Sequence, residues 1–521
     1  MPTFASPKVI WSEIDISSYS PNKLSTPGAI VVRAKKGPIE PVFVSSVDRY
    51  KLLFTTAGTV ESDVLEHYVA LSFLSKEGAG LWVVRAIGSG ALYGGAVVVE
   101  DGASGDSYSL TSGLADPNDY AWQTEDCLLF IGADPGAWNN DLIVTISDVN
   151  ADDKTFRVLV HYRGELVESF LCSLVSNVKD GWGNSLYVEN VINNRSDYIR
   201  VYKNPSSTAE LPKETTSLYL AEGNDGSSVS SGDLITAWNL YRNTDQYAIR
   251  LLIQGGIADE QIQTNMVNIA ESRQDCVALL DVPYDITSVE DVISYRDTTL
   301  AVDSSYAALF APWIKTYDYD NDEQMIIPPS GIVAGLMATT DRYYRPWVAA
   351  AGVNRGAISA LGLTAYYTEA DHDQLAPKRI NIFRRFPGQY VLWGYETLQI
   401  NDSAFTYLEI RRGLIEMRAS LVKLAKSYLF EPLIEDTRRN FVGAITDYLT
   451  EVKRTGGLYD FLVKCDPLGD PDGNNPPINI DNGILTADLF LKPVRGIRGI
   501  HLRAVITRTG VDFEEVGGIA F

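Results

Sequence analysis

The chain has 521 residues, 45% of them apolar and 21% charged, proportions that belong to globular proteins and exclude wholesale disorder. Its 67 acidic and 44 basic side chains leave a net charge of −23, a field that repels nucleic acid and anionic membrane. No apolar run approaches the ~18 residues of a membrane span, and MPTFASPKVIWSEIDI lacks the basic and apolar regions of a secretory signal.

The charge is unevenly placed. Residues 101–386 hold 40 of the acidic side chains and 20 of the basic ones, so the two ends are nearly neutral. An acidic outer body joined to near-neutral ends suits a subunit that assembles through its ends. The four cysteines (Cys127, Cys172, Cys276 and Cys465) have no CxxC spacing, which fits reduced thiols and fits a zinc site poorly.

Residues 1–25 read as an extended arm. KVIWSEIDI has strand composition, with Val9 and Trp11 on one face and Ile14 further along, and SSYSPNKLSTPG supplies the turn residues after it. A strand without a local partner must pair with a distant segment or with another molecule. Residues 26–89 then read as strand, Gly-Pro turn, short strand, a helix capped at Ser45 or Ser46, an amphipathic helix from Glu61 to Leu74, and the buried strand GLWVVRAI. This βαβ rhythm predicts an α/β layer, with Arg85 as a structural or interface cation.

Residues 90–215 change texture. Short alternating strands such as LIVTISDV and TFRVLVHY recur between Gly-, Ser- and Asp-rich turns, predicting an all-β insert. Asn139 and Asn140, in the Gly-Ala-Trp turn, read as αL or Asx-turn residues. Residues 216–386 return to α/β order. LAEGNDGSSVSSGDL has neither GxxxxGK[ST] nor GxGxxG before a helix, so no nucleotide site is expected, and Asp233 reads as a helix cap. Gly331, Ala334, Gly335 and Ala338 would let a neighbouring element approach the small-residue helix of PPSGIVAGLMATTDR closely.

From 387 to 498 two amphipathic helices dominate. The first carries Leu414, Leu421 and Tyr428 at seven-residue spacing and stops at Pro432; the second has Asp436 as its expected N-cap and ends on Gly456-Gly457. Arg438-Arg439 and Lys453-Arg454 flank the second helix. A Pro/Gly/Asn/Asp loop and the strand TADLFLKPV follow, and residues 499–521 read as a second arm whose strand GIHLRAVITRTG includes Leu502, Arg503 and Val505.

The ordered set Trp393-Gly394, Thr397-Leu398, Ser403, Phe405, Arg411-Arg412 and Phe430-Glu431-Pro432 resembles the C-terminal domain of contractile tail sheath proteins. SSYAALFAPWIKTYD and PPSGIVAGLMATTDR resemble the same family, as do the Trp-Val-Val-Arg strand and GAWNNDLIVTI. The resemblance implies an α/β multidomain chain: an α/β core from both chain ends, an inserted all-β domain lying outermost, and an inserted subtilisin-like α/β domain without a catalytic triad. The boundaries read from the sequence are 1–25 arm, 26–89 core, 90–215 β insert, 216–386 subtilisin-like domain, 387–498 C-terminal core and 499–521 arm.

The resemblance further implies a structural protein of a virion, assembled in the host cytoplasm. It implies stacked hexameric rings of this chain around a tail tube protein, in contact with baseplate and tail terminator proteins, with contraction driving the tube through the host envelope. It also implies that a helix of the C-terminal domain holds the tube, for which Arg438, Arg439, Lys453 and Arg454 are the candidates, and the arms would exchange strands between subunits. A secretion-system sheath, a tailocin-like particle and a subtilisin-fold hydrolase are the alternatives. Chemistry is poorly provided for. Segment 216–386 holds one histidine, His372, which follows the serine that imitates a nucleophile, Ser330, whereas a subtilisin-type triad runs Asp, His, Ser. Asp371, His372 and Asp373 lack helical ligand spacing and read as a solvated loop, so neither metal nor cofactor is expected.

Overall fold

The structure, a computed structural model, describes residues 26–100 and 108–498. The expected arm residues Val9, Trp11, Ile14, Leu502, Arg503 and Val505 lie outside the described residues.

The described chain begins with β1 (Thr26–Val32), β2 (Val42–Val44), α1 (Val47–Phe54), α2 (Leu65–Leu74) and β3 (Ala79–Arg85). The run Ala29–Val32 is apolar throughout because β1 is central and covered on both faces. It pairs in parallel with β3 over seven positions, Thr26↔Ala79 to Val32↔Arg85. Ser46 caps α1 by accepting from the Arg49 N–H. The second helix starts at Leu65, later than the expected Glu61.

Next come β4 (Gly95–Val99), β5 (Tyr108–Leu110), β6 (Asp126–Gly132), β7 (Leu142–Asn150), β8 (Thr155–Tyr162), β9 (Glu165–Cys172), α3 (Val188–Arg195), β10 (Ile199–Lys203) and β11 (Thr215–Tyr219). Among the described residues these strands form two four-stranded antiparallel sheets, ordered β10-β6-β4-β5 and β11-β7-β8-β9. Period-2 alternation sends Phe156, Val158, Val160 and Tyr162 of β8 into one core with Val144, Phe130 and Val201.

The third stretch contains α4 (Ser231–Asn239), β12 (Leu251–Ile253), α5 (Glu260–Arg273), β13 (Val277–Asp281), α6 (Val289–Ser294), β14 (Ala307–Ala311), β15 (Ile314–Asp318), β16 (Glu323–Ile327) and α7 (Pro329–Tyr343). It continues with β17 (Ala357–Ile358), β18 (Gly362–Leu363), α8 (Glu369–Leu375), β19 (Ile380–Phe386) and β20 (Gln389–Leu392). Ser230, not Asp233, is the N-cap of α4; Asp233 completes the capping box from the third helical position.

Here the expected domain plan needs correction. Nine strands among the described residues form one sheet, ordered β17-β20-β19-β14-β13-β12-β1-β3-β2. Residues 26–85 therefore supply three of the nine strands of the layer they share with 251–392, with β1 lying directly beside β12 through Gly28↔Leu251 and Ala29↔Leu252. They do not form a separate core with the C-terminal segment. Alternating strand residues feed two cores. Ile30, Leu81 and Leu251 pack with α2 and α7 through Phe73, Val333 and Met337. Val31, Val84 and Leu252 pack with α4 and α5 through Trp238, Ile262 and Met266 on the other face. A Cβ on Gly331 would meet the Val69 carbonyl oxygen at 2.7 Å, so the small residues of α7 serve a close approach to α2.

The C-terminal part comprises α9 (Leu408–Lys426), α10 (Glu435–Arg454), β21 (Leu458–Lys464), α11 (Pro477–Asp481) and β22 (Asp488–Pro493). Leu408 and Ile415 at the start of α9 join the sheet's core, whereas Met417, Ile445, Leu449, Val452 and Leu458 build a smaller one. The first helix ends before Pro432, in a turn that puts Phe430 at φ 69°. Ile434 occupies the N-cap of α10, and Asp436 sits in the first turn, where its charge still favours the helix dipole.

Candidate functional site

The layer of α10, β21 and β22 presents an open face rich in ion pairs. Among the described residues strands β21 and β22 form an isolated antiparallel pair, and its register sorts side chains by face. Leu458, Phe461, Val463, Leu489 and Leu491 point to α10. On the opposite face Leu462 lies across from Phe490, 60% and 56% exposed, flanked by the opposite-charge pairs Asp460↔Lys492 and Lys464↔Asp488.

All four predicted cations lie on α10 and all are engaged within the chain. Arg438 grips Glu435 from Nε at 3.0 Å and from Nη2 at 2.5 Å, and also donates to the Cys465 carbonyl. This grip holds the Glu435 carboxyl down to about 2. Arg439 stands 3.4 Å from the same carboxylate. Lys453 reaches Asp460 of β21 at 2.9 Å, and Arg454 forks onto Glu451 at 2.7 and 2.6 Å. Arg439 and Arg454 point outward, their side chains 68% and 71% exposed. Exposed pairs of this kind are each worth ~0–1 kcal/mol and are readily exchanged for other partners.

The residues weighed for catalysis lie on separate elements, Ser330 on α7 and His372 on α8. The Ser330 hydroxyl donates to Asp281 Oδ2 at 2.7 Å and its N–H to Oδ1 at 2.8 Å, a buried staple between β13 and the first turn of α7. His372 lines a 460 Å³ cavity with Trp393 and Arg355, apart from Ser330. The Asp371–Asp373 stretch is helical rather than a loop: Asp371 forms a capping box with Thr368 at the start of α8. Among the described residues no group of three His, Cys, Asp or Glu side chains converges as a metal site.

Arg85 is buried and donates to the carbonyls of Ala34 and Pro135 at 2.7 Å each, tying the large sheet to the β insert. Asn139 is no Asx-turn residue. Fully buried, it accepts from the Gly94 N–H and donates to the Asp134 carbonyl, while Asn140 exchanges two hydrogen bonds with the Gly223 backbone. Their partners lie up to 83 residues away, so no local pattern signalled these roles. Sequence reasoning also missed the Arg412–Asp341 pair, because its partner is 71 residues upstream.

Residues 228–398 match a family model described as the phage tail sheath protein central domain, and residues 401–507 match the phage tail sheath C-terminal domain. Together the matches span more than half the chain. This chain belongs to the phage tail sheath family. It is 30% identical over 396 residues to the tail sheath protein of Vibrio phage KVP40, and 28% identical over 393 residues to that of Enterobacteria phage T4. Each alignment takes in 71% of this chain but only 57% and 58% of those relatives, so the chain spans under two thirds of their length. The crystal structure of the sheath tail protein from Listeria innocua shares the fold, with a TM-score of 0.59 at 13% identity over 92% of this chain and 97% of that one. The boundary between the two family regions falls just before α9, and the Arg412–Asp341 pair crosses it.

Proposed function

We propose that this chain is the structural, non-enzymatic subunit of a contractile tail sheath in a virion. It polymerises as stacked hexameric rings around an inner tail tube and contracts to drive the tube through the host cell envelope. The open hairpin of β21 and β22 carries the reading. Neither strand has a second strand partner among the described residues, and the pair leaves Leu462 and Phe490 bare. An isolated two-stranded sheet is marginal in water, and an exposed edge is a template for another strand.

Strands from residues 5–20 and 499–516 of neighbouring copies complete that sheet. Contraction releases a metastable set of interfaces and needs no nucleotide. The helix that carries Arg438, Arg439, Lys453 and Arg454 faces the tube, with Arg439 and Arg454 outermost, and baseplate and terminator proteins hold the two ends of the cylinder. Assembly precedes lysis, in the host cytoplasm. The test is negative-stain microscopy of the purified protein, which should show tubes. Deleting residues 1–20 should leave a folded monomer that forms none; normal tubes from that truncation would overturn the strand exchange.

A further inference from the structure

Five arginines are buried among the described residues: Arg85, Arg273, Arg296, Arg411 and Arg412. Arg85, Arg273 and Arg412 have ion pairs with Asp225, Asp275 and Asp341. Arg296 has none but feels the charges of Asp297 and Asp303. Arg411 has no carboxylate at all among the described residues. It is 8% exposed, its Nε has no hydrogen-bond partner, and burial pushes its pKa below the ordinary value with only Tyr306 opposing. It is also the fourth residue of α9, at the end of the helix where the backbone dipole disfavours a cation.

What surrounds Arg411 is built for it. The guanidinium lies against two rings, 3.9 Å from the Phe405 centroid and 4.2 Å from that of Tyr306. It donates to Tyr306 Oη at 3.3 Å and to Ser305 Oγ at 2.5 Å. Both hydroxyls accept from the arginine, and neither donates its own hydrogen to any acceptor among the described residues. Ser305, Tyr306 and Phe405 are half-buried, so the pocket they form around the arginine borders the surface. One guanidinium and two hydroxyl donors with free hydrogens form a receptor for a carboxylate.

We propose that Arg411, Ser305 and Tyr306 bind an aspartate or glutamate side chain of a second copy of this chain, and that this contact fastens neighbouring subunits. The inference rests on the sheath reading, under which copies pack side by side, and the acidic excess of residues 101–386 supplies such side chains. A buried cation placed against the helix dipole is costly in the free subunit, and a partner's carboxylate relieves that cost only on assembly.

The test compares wild type with full-length Arg411→Met, reading monomer unfolding and the concentration at which tubes appear. The expected result is a monomer at least as stable as wild type, because an unpaired buried charge is gone, with the assembly threshold raised about tenfold or more. Tubes at the wild-type threshold would overturn the proposal. If Arg411→Met does not fold, Arg411→Lys decides. Tubes of Arg411→Lys grown from mixed 14N- and 15N-labelled copies and treated with a carbodiimide should carry an amide between position 411 and an Asp or Glu of the other isotope. A link confined to one copy, including one to residues 1–25 or 499–521 of the same chain, or no link at all, would refute it. Failure of wild type to form tubes strikes the sheath reading itself and is seen before either variant is made.

Discussion

Ser227 donates its backbone N–H to the carbonyl oxygen of Ser89 at 3.0 Å, and the two hydroxyls stand 3.2 Å apart. The crossings into and out of the β insert therefore run side by side, with Leu92 bridged to Asn224 and Gly95 to Ala221. The approach is tight: a Cβ on Gly88 would lie 1.8 Å from the Ser227 carbonyl oxygen. Beyond this neck the insert is held by Arg85, by Arg49 on Asp197, and by Lys36, whose ammonium sits 4.2 to 5.5 Å from the ring centroids of Tyr198, Tyr162 and Trp138.

Excision of residues 90–226, joining Ser89 to Ser227 through one glycine, should thus leave the nine-stranded sheet folded. Arg85 would lose its Pro135 and Asp225 partners and Lys36 its rings, but both would gain water, so the loss should stay modest. Circular dichroism should show a cooperative monomer, and electron microscopy tubes of smaller outer diameter. A folded monomer that cannot form tubes would show that the insert joins subunits.

Arg412 and Asp341 meet at 2.5 Å with side chains 5% and 3% exposed, joining α9 to α7. Thr26 also donates to Asp341 at 2.6 Å, and Arg412 to Tyr395 Oη at 2.9 Å, so β1 shares the same knot. Arg412→Met alone strands a buried carboxylate and should cost about 3–5 kcal/mol in urea unfolding, most of it recovered by adding Asp341→Leu. A single-variant cost below about 1 kcal/mol would mean the pair does not fasten the two regions.

A pH dependence should come from Asp281. Burial pushes its carboxyl up to about 7, against the opposing hydrogen bonds from Ser330 and Gly256. Unfolded, the group titrates near its ordinary 3.8, so between these values the native state binds the extra proton. The stability it contributes is complete below pH ~4 and is lost as pH rises through 7, on the order of 4 kcal/mol in all. Asp281→Asn has no such proton to lose, so its stability relative to wild type should improve from pH 5 to pH 8. An unchanged difference between the two proteins across that range would contradict the assignment.

What could be read from the sequence follows the range of each interaction. Runs such as Ala29–Val32 and Val277–Leu280 announce strands covered on both faces, and they are. The neighbour of a parallel strand leaves no local mark, so the pairing of β1 with β12 across the whole insert was illegible. The same holds at the candidate site. Glu435 and Glu451 stand three residues before Arg438 and Arg454, a helical spacing visible in advance. Asp460 as the partner of Lys453 depends on how β21 folds back along α10.

That geometry sharpens the test of tube attachment. Arg438 is held by Glu435 and by the Cys465 carbonyl with its side chain 13% exposed, so replacing it would disturb the fold. Arg439 and Arg454 are free to re-pair, since each has one exposed ion pair of small worth. Arg439→Gln with Arg454→Gln should leave the monomer's unfolding midpoint unchanged within about 0.5 kcal/mol. It should weaken coating of purified tubes, and the loss should deepen between 50 and 300 mM salt because screening removes what attraction remains. Tube-free assembly should persist, since the variants leave β21 and β22 intact. If the doubly substituted protein coats tubes like wild type at every salt concentration, the tube meets another surface, and the exposed turn at Leu429 and Phe430 is the next to replace.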